Sequence, residues 1–134
     1  MSNSSTASVA PKSQSKALNV GLWILQILGA AMFLMAGFGK LSGAEMHVKT
    51  FEAIGFGQWF RYVTGAIEVG AAVMLLIPRL SGIGAILLVC TMLGAIATHL
   101  FVIGGSVAMP VALLVVMALV AYGRRRNTLQ LFGR

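Results

Sequence analysis

The sequence predicts an all-α membrane protein, four transmembrane helices in an antiparallel bundle with both termini cytoplasmic. Three observations predict it. Of 134 residues, 58% are hydrophobic and only 10% charged, with a mean hydropathy of +0.91, well above that of a water-soluble domain. Four apolar runs each approach the roughly 20 residues that a bilayer-spanning helix needs. The lysines and arginines divide unevenly between the intervening segments, as orientation in a membrane demands.

The elements follow in order. Residues 1 to 16, "MSNSSTASVAPKSQSK", are Ser-rich without an apolar run and are expected to be a solvated, disordered tail. The first run, Leu18 to Phe38, is too long for a cleaved signal segment and is expected to remain as an anchor. The second extends from Trp59 to Ile77, the third from Ser81 to Ile103 and the fourth from Val107 to Tyr122. Together they give a transmembrane domain over residues 17 to 123, followed by a basic C-terminal tail, 124 to 134, whose arginines suit anionic lipid headgroups. Between the first two spans, Met46, Val48, Phe51 and Ile54 trace a short helix ended by Gly55 and Gly57. It is expected on the interface or as a cap on the bundle, and Trp59 and Phe60 re-enter at headgroup depth.

Four spans put Lys12, Lys16, Arg79, Arg124, Arg125, Arg126 and Arg134 on one side and Lys40, Lys49 and Arg61 on the other, the latter with Glu45 and Glu52. The richer side faces the cytoplasm. The expected location is the cell inner (plasma) membrane, multi-pass, with the Leu41 to Gln58 loop outside.

Within the second span, "TGAIEVGAAVMLLIP" contains one carboxylate, Glu68. It lies about 14 Å below Trp59 at 1.5 Å per residue, near mid-bilayer. Arg61, Thr64 or Gly65, and Glu68 share one helical face. The third span travels the opposite way, so His99 lies roughly 6 Å below its outer end, and Lys40 closes the first span. Arg61, Tyr62, Glu68, His99 and Lys40 thus belong to the outer half, whereas the inner half is expected to hold only the uncharged Asn19, Gln26, Cys90 and Thr91.

A charge at mid-span costs at least about 2.5 kcal/mol, so such residues turn inward and find partners. A buried carboxylate is either neutralised by desolvation or kept ionised by a nearby cation. Arg61, Lys40 through its long stem, and a protonated His99 are the candidates here. One reading is structural, an ion pair that holds helices together. The other is a site that binds a polar ligand or handles a proton, with Glu68 and His99 as catalytic residues and Lys40, Arg61, Tyr62 and Thr64 as ligand-binding residues.

Other chemistry is unfavoured. A single cysteine, Cys90, makes no CxxC relay and reads as packing. His47 in a loop and His99 in a helix do not suggest bis-histidine haem. The chain has no aspartate, no metal-ligand spacing and no phosphate-cradling glycine loop, so neither haem nor metal is expected. The basic end lacks a folded domain to present it to nucleic acid.

Three segments carry a resemblance: "FLMAGFGKL", "FGQWFRYVTGAIEVGAAVMLLIP" and "MLGAIATHLFVIGG". Over residues 17 to 123 the chain resembles the DoxX family of small four-helix membrane proteins. Gly37, Lys40, Glu68 and His99 match the glycine and lysine closing the first span, the glutamate in the second and the histidine late in the third. The name-giving relatives are membrane subunits of an archaeal thiosulfate:quinone oxidoreductase, and some bacterial members accompany membrane redox and stress complexes. The resemblance implies a subunit or accessory of a membrane redox system, with a quinone as cofactor supplied by the lipid or by a partner redox subunit.

Two mechanisms remain open from sequence. In the first, a quinone or small lipophilic molecule sits in an outer-half polar pocket, Glu68 and His99 exchange protons, and Lys40 or Arg61 stabilises an oxyanion. In the second, a homodimer performs proton-coupled transport through Glu68. A scaffold or assembly partner, with the polar cluster purely structural, is the third class.

Overall fold

The computed structural model describes residues 15 to 133, and among them the fold is entirely helical. Helix α1 spans Lys16–Ser42, α2 Glu45–Ile54, α3 Gln58–Leu75 and α4 Ser81–Thr98, which runs on through a π-helical turn, His99–Ile103; α5 spans Ala108–Gly123 and α6 Arg125–Leu131. Two helices, Lys16–Ser42 and Ser81–Ile103, are long and apolar enough to cross a bilayer; α5 and α6 make a third candidate if joined across their 61° bend. The protein is therefore a membrane protein. Helix α3 carries both Arg61 and Glu68 in its 18 residues and is not among these candidates.

The tail expected over residues 1 to 16 lies outside the described residues up to position 14. Its last residue, Lys16, opens α1, because the Ser15 hydroxyl accepts the Leu18 amide at 3.1 Å and caps the helix. At the other end of the chain, the stretch expected as a tail forms α6, which packs against α4. Gly82 makes that contact close: a Cβ there would stand 3.0 Å from the Arg124 carbonyl.

Helix α1 packs on α3, α3 on α4, α4 on α5, and α5 back on α1, while α2 folds over the start of α3. Phe33, Leu75, Leu88, Met117 and Val120 fill the centre, separated by Ala30, Ala71, Ala72 and Ala85. Large aliphatic residues such as Ile24, Leu28, Met35 and Leu93 point outward. Small residues inside and large ones outside suit a bundle in lipid, where close backbone approach and hydrogen bonds replace the hydrophobic drive. Cys90, expected in packing, is exposed on this outer surface.

The closest approach of α1 and α3 sets the position of the polar site. A Cβ on Gly65 would lie 3.0 Å from the Gly37 carbonyl, and one on Gly37 would lie 2.9 Å from the Gly65 carbonyl. Only glycine at both positions lets these backbones touch. Lys40 and Glu68 each follow three residues later, on the same faces. Helix α1 then ends at Gly43, whose φ of 81° carries the left-handed cap, and the chain turns back into α2.

Candidate functional site: a buried lysine–glutamate pair

The buried face of α3 reads Arg61, Gly65, Glu68, Ala72 and Leu75, the periodicity of one helical stripe. Lys40 Nζ donates to Glu68 Oε1 at 2.7 Å, with side-chain exposures of 12% and 3%. Lys40 occupies the last turn of α1, where a cation also meets the negative end of the helix dipole. Glu68 Oε2 accepts no hydrogen bond from the described residues. One carboxylate oxygen is thus committed to the lysine, and the other has no donor among the described residues.

Arg61 has a different task from the one expected of a rival cation. Its Nη1 donates to the Lys40 carbonyl and its Nε to Gln58 Oε1 at 2.6 Å, while Gln58 Nε2 donates to the Val48 carbonyl at 3.1 Å. This chain of bonds ties α2, α3 and the last turn of α1 together and holds Lys40 by its backbone. The Arg61 guanidinium stacks 4.4 Å over the Tyr62 ring, which is half exposed. The Thr64 hydroxyl donates to the Phe60 carbonyl of its own helix at 2.9 Å. Of the expected ligand-binding residues, Arg61 is bonded to the backbone of Lys40; Tyr62 lies under the Arg61 guanidinium and Thr64 is engaged with the backbone.

His99 lies elsewhere. It opens the π-helical turn, which packs against α2, and among the described residues no hydrogen bond or ion pair joins it to Glu68. Its Nδ1 is 3.0 Å from the Gly104 carbonyl. A carbonyl only accepts, so Nδ1 is the donor in this contact, which leaves Nε2 uncommitted to it. π-turns of this kind are frequent at functional sites.

The imidazole beside the last turn of α1 is that of His47, which belongs to α2 rather than to a loop. Its ring would stand 3.0 to 3.1 Å from a Cβ on Gly39. Burial, then the charges of Lys40 and Arg61, hold its pKa below the usual histidine value. The signal in sequence was the pair of glycines around Lys40: Gly39 leaves room for the ring, and Gly43 reverses the chain toward it.

The opposite end departs further from expectation. Its polar residues are not all uncharged, because Arg124 is buried among them. Arg124 Nε donates to Gln26 Oε1 at 2.6 Å and Nη1 to Asn19 Oδ1 at 2.9 Å, while Gln26 Nε2 donates to the Leu75 carbonyl at 2.7 Å. Gly123 permits this: a Cβ there would strike Leu22 at 2.7 Å. Sequence alone made Arg124 one of three equivalent interfacial arginines. Asn19 and Gln26, seven residues apart on one face of α1, were the available sign that a buried partner was needed.

The fold and the site define a small helical membrane protein with a buried ion pair between its first and third helices. The chain belongs to the DoxX-like family, whose sequence profile matches residues 24 to 121. It is 29% identical over 84 residues, 63% of either chain, to a protein of Bacillus subtilis (strain 168) named "Putative oxidoreductase CatD". The chain thus spans about 63% of the length of that relative. No solved structure matches it.

Proposed function

We propose that this protein is a membrane-embedded subunit or accessory of a redox system that binds a quinone or another small lipophilic redox molecule beside the Lys40–Glu68 pair. The observation that carries the reading is a buried carboxylate with one oxygen held by lysine and no donor to the other among the described residues. The printed name of the Bacillus relative supports redox chemistry. A quinone, when bound, supplies the two-electron, two-proton couple, and a partner subunit exchanges the electrons. Glu68 Oε2 is suited to take or give a proton at a ring oxygen, and Lys40 to stabilise negative charge there. Tyr62 and Thr64 line the approach, and His99, through Nε2, handles a proton on the side of the π-turn. Four crossings in antiparallel order, with both termini cytoplasmic in the inner membrane, complete the reading; the distribution of Lys and Arg supports it.

A second reading has its own support. The 2.7 Å bond, with Arg61 buttressing the backbone of Lys40, is also what a structural clamp requires. In that case the protein is a scaffold. Mass spectrometry of small molecules copurifying with the full-length protein in mild detergent separates the two. A quinone enriched in the wild type and lost in Glu68→Gln supports the redox site. Equal amounts in both, or none in either, overturns it in favour of the clamp.

A further inference from the structure

At the opposite end from the ion pair, two clefts flank α6. The larger, about 370 Å³, is lined by Lys16, Asn19, Gly123, Arg126, Asn127 and Gln130. The smaller, about 230 Å³, contains Arg79 and shares Asn127 and Gln130 with it. The chain has three acidic residues, Glu45, Glu52 and Glu68. Glu68 is bonded to Lys40 and the other two belong to α2, next to the end of α1 that Lys16 does not occupy. Helix α1 separates Lys16 from Lys40 by about 36 Å at 1.5 Å per residue. Lys16, Arg79, Arg124, Arg125 and Arg126 therefore lie toward the end of the bundle away from the three glutamates.

The larger cleft is more than a charged surface. Its lining brings together two cationic residues, Lys16 and Arg126, and three amide residues, Asn19, Asn127 and Gln130. Its walls are held in place. Asn127 Nδ2 donates to the Pro78 carbonyl at 2.6 Å, and the Arg124–Asn19 bond at 2.9 Å fixes the start of α1 against the α5–α6 bend. Cations that supply charge, beside amides that supply directional donors, match a tetrahedral oxyanion. The 61° bend lays α6 off the axis of α5, the geometry of a helix lying along a headgroup layer.

We propose that the cleft between the start of α1 and α6 is a binding site for a phosphate group, with Lys16 and Arg126 supplying charge and Asn19, Asn127 and Gln130 supplying orientation. The group arrives on a lipid headgroup or as a free phosphate. The site is independent of the ion pair and of the redox reading.

The test uses the full-length protein in neutral detergent. Binding is followed by native mass spectrometry with phosphatidylglycerol, with phosphatidylcholine, and with inorganic phosphate. Lys16→Gln/Arg126→Gln is compared with Arg125→Gln, a cation of the same end that stacks on Tyr122 at 4.1 Å and does not line the cleft. Gln130→Glu is a second variant, which keeps the size of the wall and adds a repelling charge. Each cation near a membrane surface contributes about fivefold in affinity, so the double variant is expected to bind at least tenfold more weakly. Arg125→Gln should lose much less. Lipid binding lost in the double variant and in Gln130→Glu supports the site with a headgroup as ligand; the same pattern with inorganic phosphate supports a soluble ligand. An equal loss in Arg125→Gln overturns the proposal in favour of diffuse attraction, and no binding of either ligand overturns it outright.

Discussion

Replacing Lys40 with Met removes the ammonium that holds Glu68 while keeping most of the apolar stem. The pair is 2.7 Å long, with 12% and 3% of the side chains exposed, so little water can take the lysine's place. Stranding one partner of a buried pair costs about 3 to 5 kcal/mol. An independent limit comes from proton uptake. A carboxyl with an ordinary pKa near 4.3 can be protonated at pH 7 for about 4 kcal/mol, so a stranded Glu68 has no reason to cost more. Where that limit applies, the penalty falls by about 1.4 kcal/mol for each pH unit below 7. The assay is unfolding by SDS in mixed micelles at pH 7 and pH 5.5, for wild type, Lys40→Met, Glu68→Gln and the double variant. Lys40→Met is expected to lose about 3 to 4 kcal/mol at pH 7 and about 2 kcal/mol less at pH 5.5. Adding Glu68→Gln should recover most of the loss. A loss that does not change with pH, or a double variant no better than Lys40→Met, would refute a buried charge pair as the bond between α1 and α3.

Gly65→Val must push against the Gly37 carbonyl and Lys40 Cβ, each 3.0 Å from the new Cβ; it should cost at least about 1 to 3 kcal/mol by thermal unfolding, whereas Gly94→Ala, with nothing within 4 Å of its Cβ, should be neutral or slightly stabilising. Gln26→Leu removes one bond to Arg124 and one to the Leu75 carbonyl, and should cost about 2 to 4 kcal/mol in the same measurement. His47 has a folded pKa below its ordinary 6.5, so it binds fewer protons folded than unfolded. The stability it contributes is complete above pH 6.5 and is lost as the pH falls from there through the folded value. Between pH 7 and 5.5, His47→Gln should therefore lose less melting temperature than the wild type.

Much of the site was legible in the sequence. A lone Glu in an apolar run must turn inward, and the spacing of Arg61, Gly65 and Glu68 fixes one face of a helix whatever the helix meets. What the pattern could not choose was the partner, because Arg61, Lys40 and His99 all lie at a similar depth. Lys40 takes the carboxylate because Gly37 and Gly65 bring α1 and α3 into backbone contact just before it. Arg61 is drawn instead to the carbonyl of Lys40, and His99 to that of Gly104.

By itself, then, the sequence determined the apolar helices but not α6, together with the membrane as solvent, the family and the residue that needs a partner, since these depend on local periodicity and on the cost of burying charge. The tertiary structure alone decided the pairings. It brought His47 beside the end of α1 through the reversal at Gly43, and it buried Arg124 against Gln26, 98 positions away in the chain. Such contacts depend on which backbones approach closely and where a chain bends. Neither is encoded in the period of any one helix.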